Sequence, residues 1–150
     1  MLIDNLRINK LRLYLFQIIK DLNAKYEQIN VNFLSDDVNN YSLDKIPIET
    51  EVQSWIIGDI LHREVYSFRS RMNYSADTVD NIENIGFYET FEKIIRNNNE
   101  NNILPDIKGI ESIKCLNSGT MVNADTNTAE FDIQIQIEFR DGLEEDKPSL

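Results

Sequence analysis

Residues 130–140 read EFDIQIQIEFR, and this segment decides the fold class. Phe131, Ile133, Ile135, Ile137 and Phe139 take alternate positions, with Glu130, Asp132, Gln134, Gln136, Glu138 and Arg140 between them. Side chains alternate across a strand, so the spacing predicts one apolar and one polar face. A slip of one residue would bury the polar set, so the register is strongly specified.

Working outward, SIKCLNSGTMV (residues 112–122) is predicted to pair with this strand through the turn NADTNT (123–128). Upstream, EVQSWII (51–57) and ILHREVYSFRSRM (60–72) flank Gly58-Asp59 and read as a β-hairpin. In its second strand Ile60, His62, Glu64, Tyr66, Phe68 and Ser70 share one face; Leu61, Arg63, Val65, Ser67, Arg69 and Arg71 share the other. Pro47 argues against a central strand at 45–48, so YSLDKIPIE (41–49) reads as an edge or lead-in segment. INVNFLS (29–35) alternates as a short strand, and Asp36 to Asn40 reads as a loop.

Two helices complete the pattern. Leu6, Ile8, Leu11, Leu15, Ile18, Ile19 and Leu22 recur at three- and four-residue steps, predicting an amphipathic helix over residues 4–25 capped by Asp4 or Asn5. Leu13, Tyr14 and Phe16 widen its apolar coverage, so the helix is either sandwiched or partly in contact with another subunit. TVDNIENIGFYETFEKII (78–95) predicts a second helix, with Asp77 as N-cap and Asp80 in the first turn. Gly86 interrupts it. Phe87, Phe91, Ile94 and Ile95 form one face, and Val79, Ile82 and Ile85 a shorter face before the glycine. The simplest reading is one helix with a softened joint, where Gly86 lets the helix approach or bend over a neighbouring strand and is not a phosphate loop. RNNNENN (96–102) ends the helix and Leu104-Pro105 starts an extended connector.

The expected fold is α+β: a largely antiparallel sheet with two main helices packed on one face. One domain is expected over residues 1–140, with an acidic flexible tail at 141–150. The chain has 150 residues, 41% apolar and 27% charged, and a net charge of −11. That charge argues against non-specific binding to nucleic-acid phosphates. The N-terminus lacks a continuous apolar core, so no signal peptide is expected, and no apolar run is long enough to span a membrane. Folding in a cytoplasm is the expectation.

The residues offer little catalytic apparatus. His62 is the only histidine, and Tyr66 stands where an H-x-x-x-D acyltransferase has its aspartate. G-x-S-x-G, P-loop and H-E-x-x-H motifs are absent. NADTNTAE has the alternation of a calcium loop, but Thr128 and Gln134 stand where an EF-hand needs Gly and Glu. Glu49/Glu51 and Glu144/Glu145 lack an apolar surrounding that would raise a carboxylate pKa. Cys115, the one cysteine, reads as a half-buried strand residue, and Trp55 as core or interface. The spacing of Arg63, Arg69 and Arg71 favours cross-strand pairing with acidic partners, Glu130, Asp132 and Glu138 being candidates, over a phosphate-binding stripe. No cofactor or metal is expected.

Taken in order, YSLDKIPIE, Gly58-Asp59, VYSFRSR, NIENIGFYETFEKII, Leu104-Pro105 and FDIQIQIEF resemble the tail terminator (tail completion) proteins of tailed phages of Gram-positive bacteria and of phage-tail-like bacteriocins. The similarity spans about residues 41–140. Its most telling blocks are F-x-S-R (Phe68 to Arg71), N-I-E-N-x-G-F-Y-E (Asn81 to Glu89) and I-Q-I-Q (Ile133 to Gln136). Many members carry Trp near the position of Ile94 or Ile95, where this chain has isoleucine. The resemblance implies a non-enzymatic ring, usually of six copies, on the head-proximal end of the tail tube. Such a ring stops tube polymerisation, meets the neck or collar, and in contractile tails anchors the last sheath layer. DNA would be only passing cargo, and assembly would occur in the host bacterial cytoplasm. Under that reading the polar face Glu130, Asp132, Gln134, Gln136 and Glu138 is expected to line the lumen. Leu13, Tyr14, Phe16, Trp55, Arg63, Arg69 and Arg71 are expected at subunit interfaces. A head-tail joining or minor capsid component is the alternative.

Overall fold

The computed structural model describes residues 3–22, 29–35, 40–54, 59–73, 78–124 and 127–141. Trp55, Gly58, Asp77, most of the 36–40 loop, the centre of the 123–128 turn and the C-terminal tail lie outside the described residues, as do the side chains of Val79, Asp80 and Ile82. In chain order the elements are a 3-10 turn (Ile3–Asn5), α1 (Arg7–Asp21), β1 (Ile29–Val31), β2 (Asn40–Ile46), β3 (Glu51–Ser54), β4 (Ile60–Asn73), α2 (Thr78–Glu100), β5 (Ile110–Cys115), β6 (Thr120–Ala124) and β7 (Thr128–Asp141). This is an α+β fold: two helices and a mostly antiparallel mixed sheet of seven strands.

The sheet is organised around two long strands. β4 and β7 pair antiparallel over their whole lengths, from Ile60↔Asp141 to Asn73↔Thr128. The outer side of β4 is shared by β2 and β3, and the outer side of β7 by β5 and β6. The predicted strand over 112–122 is thus two strands, separated by Leu116 to Gly119 and both laid on β7. β1 joins β2 in parallel, Ile29↔Tyr41 to Val31↔Leu43. It stops sooner than the alternation of INVNFLS predicts because Asn32 turns left-handed (φ 55°), a conformation asparagine tolerates. β2 lies between β1 and β4 rather than at an edge, and Pro47 falls just beyond its end, where the missing N–H breaks no ladder.

Alternation gives the sheet two unlike faces. Tyr66, Phe68 and Met72 of β4, the apolar set of β7, Tyr41 and Leu43 of β2, and Ile113 of β5 form one buried layer. Leu11, Leu15, Ile18 and Ile19 of α1 and Tyr88, Phe91 and Ile95 of α2 close over it. Aromatic rings stack through its centre: Tyr41 on Phe68 at 5.5 Å, and Phe68 on Phe91 at 5.3 Å. Each such pair adds about 0.5–1.5 kcal/mol beyond the area it buries. Ser70 and Tyr88 hydrogen-bond within the same layer.

The start of the first helix departs from expectation, whereas the second begins at Thr78 as its sequence predicts. Asp4 and Asn5 belong to the 3-10 turn, and α1 begins after Leu6, which provides no side-chain cap. Further along the chain, α2 is one uninterrupted helix through Gly86. Gly86 is exposed, and a Cβ there would meet nothing within 4 Å, so close packing is not its reason. The polyasparagine end of α2 forms a Schellman motif: left-handed Asn102 (φ 59°) donates to Asn99 O at 3.2 Å, and Ile103 to Asn98 O at 2.7 Å. Asn99 also accepts from the Ile113 amide at 2.9 Å, tying the helix end to β5. Where the connector meets the sheet, Gly109 (φ +76°) approaches the Arg140 carbonyl so closely that a Cβ would collide with it.

Candidate functional site: the open face of the sheet

β7 turns Glu130, Asp132, Gln134, Gln136 and Glu138 to the side of the sheet opposite the buried layer that the helices close over. The β4 register sets Arg71 opposite Glu130, Arg69 opposite Asp132, and Arg63 opposite Glu138. The pairs that form are partly diagonal. Arg69 binds Asp44 of β2 at 2.5 Å and Glu130 of β7 at 3.0 Å, linking three strands. Ser67 donates to Asp132 at 2.5 Å, Ser42 to Asp44 at 2.8 Å, and Gln136 to Glu138 at 2.9 Å. Arg71 donates to the Ser35 carbonyl at 2.8 Å, and Arg63 stays exposed. Partial burial works against the charge of Arg69, but Asp44 and Glu130 outweigh it and hold the guanidinium charged.

Two properties follow. Across β2, β4 and β7 the arginines 63, 69 and 71 nearly offset Asp44, Glu130, Asp132 and Glu138, in a chain of net charge −11. The side chains are also held by one another, so the face is a pre-ordered polar surface. Gln136 is buried, and its four polar neighbours along β7 are half-buried.

Among the described residues, the helix-covered face carries a charged cluster around Glu64. Glu64 is 2% exposed and accepts from Arg7 through both oxygens at 2.9 Å, from Lys45 at 2.7 Å and from the Tyr66 hydroxyl at 2.8 Å. Burial alone would raise its pKa; the donors reverse that and lower it to about 2. The Arg7 guanidinium also lies 4.4 Å from the Phe139 ring centroid, so one residue fastens the start of α1 to β4 and β7. Sequence reading missed this cluster. Glu64 between Ile60 and Phe68 on an apolar face was its only signal.

The helical candidates separate. Tyr14 donates to the Ile103 carbonyl at 2.8 Å and accepts from Asn98 at 3.0 Å, locking α1 to the end of α2. Phe16 packs partly buried against the core, whereas Leu13 is 49% exposed. Trp55 lies outside the described residues.

Other reactive groups have structural surroundings. His62 stacks on Phe139 at 5.3 Å, with Nε2 3.9 Å from Asp141. Burial pushes the Cys115 thiol up to about 12, far from a reactive thiolate. A groove of about 590 Å³ is lined by Asn5, Arg7, Lys10, Asp106, Ile107 and Lys108, but Arg7 is bound to Glu64 and Lys10 to Asp106 at 3.2 Å. Among the described residues no three His, Cys, Asp or Glu side chains are grouped to hold a metal ion, and no helix is long and apolar enough to cross a membrane. No family model matches the chain, and no curated protein matches it.

Proposed function

We propose that this protein is a structural subunit of a tail terminator ring, seated on the head-proximal end of a phage tail or tail-like particle. The observation that carries the reading is the open face of the β4–β7 sheet. Apart from Ile46, Leu61 and Val65 it is polar, and it is nearly charge-balanced and internally hydrogen-bonded, with Arg69 and Arg71 engaged within the subunit. A conduit wall for DNA must leave the phosphate backbone ungripped, and such a surface offers no free cationic stripe to it. The motif order over residues 41–140 supports the same reading. In the ring, Glu130, Asp132, Gln134, Gln136 and Glu138 face the lumen, while tube, neck or collar, and sheath where present, meet the rims. The work of the protein is geometric rather than catalytic.

Electron microscopy of the purified full chain mixed with tail tubes tests this. Rings capping one end of the tubes and fixing their length are expected. Rings that bind portal or capsid and ignore tubes would transfer the protein to head-tail joining. A monomer that ignores tubes, portal and capsid would overturn both readings.

A further inference from the structure

The register runs continuously from one edge of the sheet to the other at a single level: Ile29, Tyr41, Ser70, Phe131 and Met121 in one row, Asn30, Ser42, Arg69, Asp132 and Thr120 in the next. β1 and β6 therefore occupy opposite edges of the same end of the sheet. Exposed edges of native sheets are ordinarily protected by charge, and the other end obeys that rule: β3 carries Glu51, and β5 carries Glu111 and Lys114. β1 (INV) and β6 (TMVNA) carry no charge at all.

Both unprotected edges also leave apolar side chains in water. Val31 is 42% exposed and shares the helix-side face with its partner Leu43; Met121 is 48% exposed and shares that face with Phe131. Among the described residues, the buried layer thus runs out to both edges without a cap. Val122, bulged from the β6–β7 ladder, is 54% exposed. An edge that lacks charge and extends the core layer is suited to strand addition, where backbone hydrogen bonds give affinity and alternate side chains give register.

We infer that β1 of one copy pairs with β6 of the next, continuing the sheet from subunit to subunit and joining Val31 to Met121 across the junction. A second copy is the occupant because the two edges differ, lie at one level and face opposite ways. That is the requirement for a heterologous, head-to-tail contact, which gives a ring when the rotation between copies closes. The inference rests on the ring reading in taking a second copy as the partner. With only three residues in β1, the strand contact is small, and assembly is concentration-dependent.

The test uses Val31→Lys, which charges the β1 edge, and Val122→Lys, which charges the β6 edge, with Val52→Lys on the already charged β3 edge as control. Each position is exposed, and thermal melts by circular dichroism report whether the fold is kept. Sedimentation velocity is expected to show ring-sized species for wild type and V52K. Each edge variant alone should raise the concentration for half-assembly by about tenfold or more. A mixture of V31K with V122K retains one complementary pair of edges, so it should stop at a two-copy species. If one variant fails to fold, the other decides by itself.

Rings that persist in both variants would overturn the edge inference and leave the ring reading standing. Edge-dependent assembly that caps no tube would do the reverse. A monomeric wild type whose tube binding is lost in V31K or V122K would make the occupant a tube subunit and overturn pairing between copies.

Discussion

The two faces of the β4–β7 pair come from the same strands and the same alternation, yet they are held by different forces. On the helix side, rings and branched chains are almost wholly excluded from water, and the buried carboxylate of Glu64 is surrounded by donors. On the open side, half-exposed carboxylates and arginines hold one another, and removal of one leaves partners that water can reach. The first face makes the fold; the second is ordered enough to present a fixed surface but is less costly to alter. Under the proposed ring function that division is useful, because the working surface is free to vary while the core is not.

The sharpest way to break the comparison is Phe68→Ala. Phe68 is fully buried between Tyr41 and Phe91, and the substitution is expected to cost about 3–5 kcal/mol in urea unfolding. Next comes Glu64. Its pKa falls from 4.5 to about 2 in the folded protein, so the unfolded chain binds more protons between those values. Stability from this group is therefore complete above about pH 4.5 and is lost as pH falls towards 2, by linkage on the order of 3 kcal/mol. Glu64→Gln should lower stability at pH 7 by a similar amount, about 2–3 kcal/mol, and the gap from wild type should close in acid. A gap independent of pH would show that the side chain acts through shape and not charge.

On the open face, Arg69→Ala is expected to cost only about 1–2 kcal/mol, since the group is partly exposed, and the loss should shrink in high salt. A cost equal to that of Phe68→Ala would erase the distinction between the faces. The smallest effect is a gain. Gly86→Ala places a methyl in open space on a continuous helix and should add about 0.5–1 kcal/mol to the thermal or urea stability of the isolated subunit. If the same variant impairs assembly, a neighbouring subunit covers that site.

Elements whose periodicity is local were legible in the amino-acid order. The alternation of EFDIQIQIEFR and ILHREVYSFRSRM fixed which residues of β7 and β4 face the core, because a strand cannot turn neighbouring side chains to one side. It also pointed to Glu130, Asp132 and Glu138 as cross-strand partners of the arginines, and the register pairs these same residues. The polar run that ends α2 was legible for the same reason: a Schellman motif is a matter of a few consecutive residues. Long-range packing, by contrast, divides 110–124 into two strands on one side of β7, lays β1 parallel to β2, and sends Arg69 diagonally to Asp44 and Glu130. The same holds for Glu64, whose donors come from positions 7, 45 and 66. Partners that far apart are selected by packing, and no local period records them. Gly86 shows the converse: glycine in a helix signals a close approach only when something lies beside it, and here the fold leaves that side open.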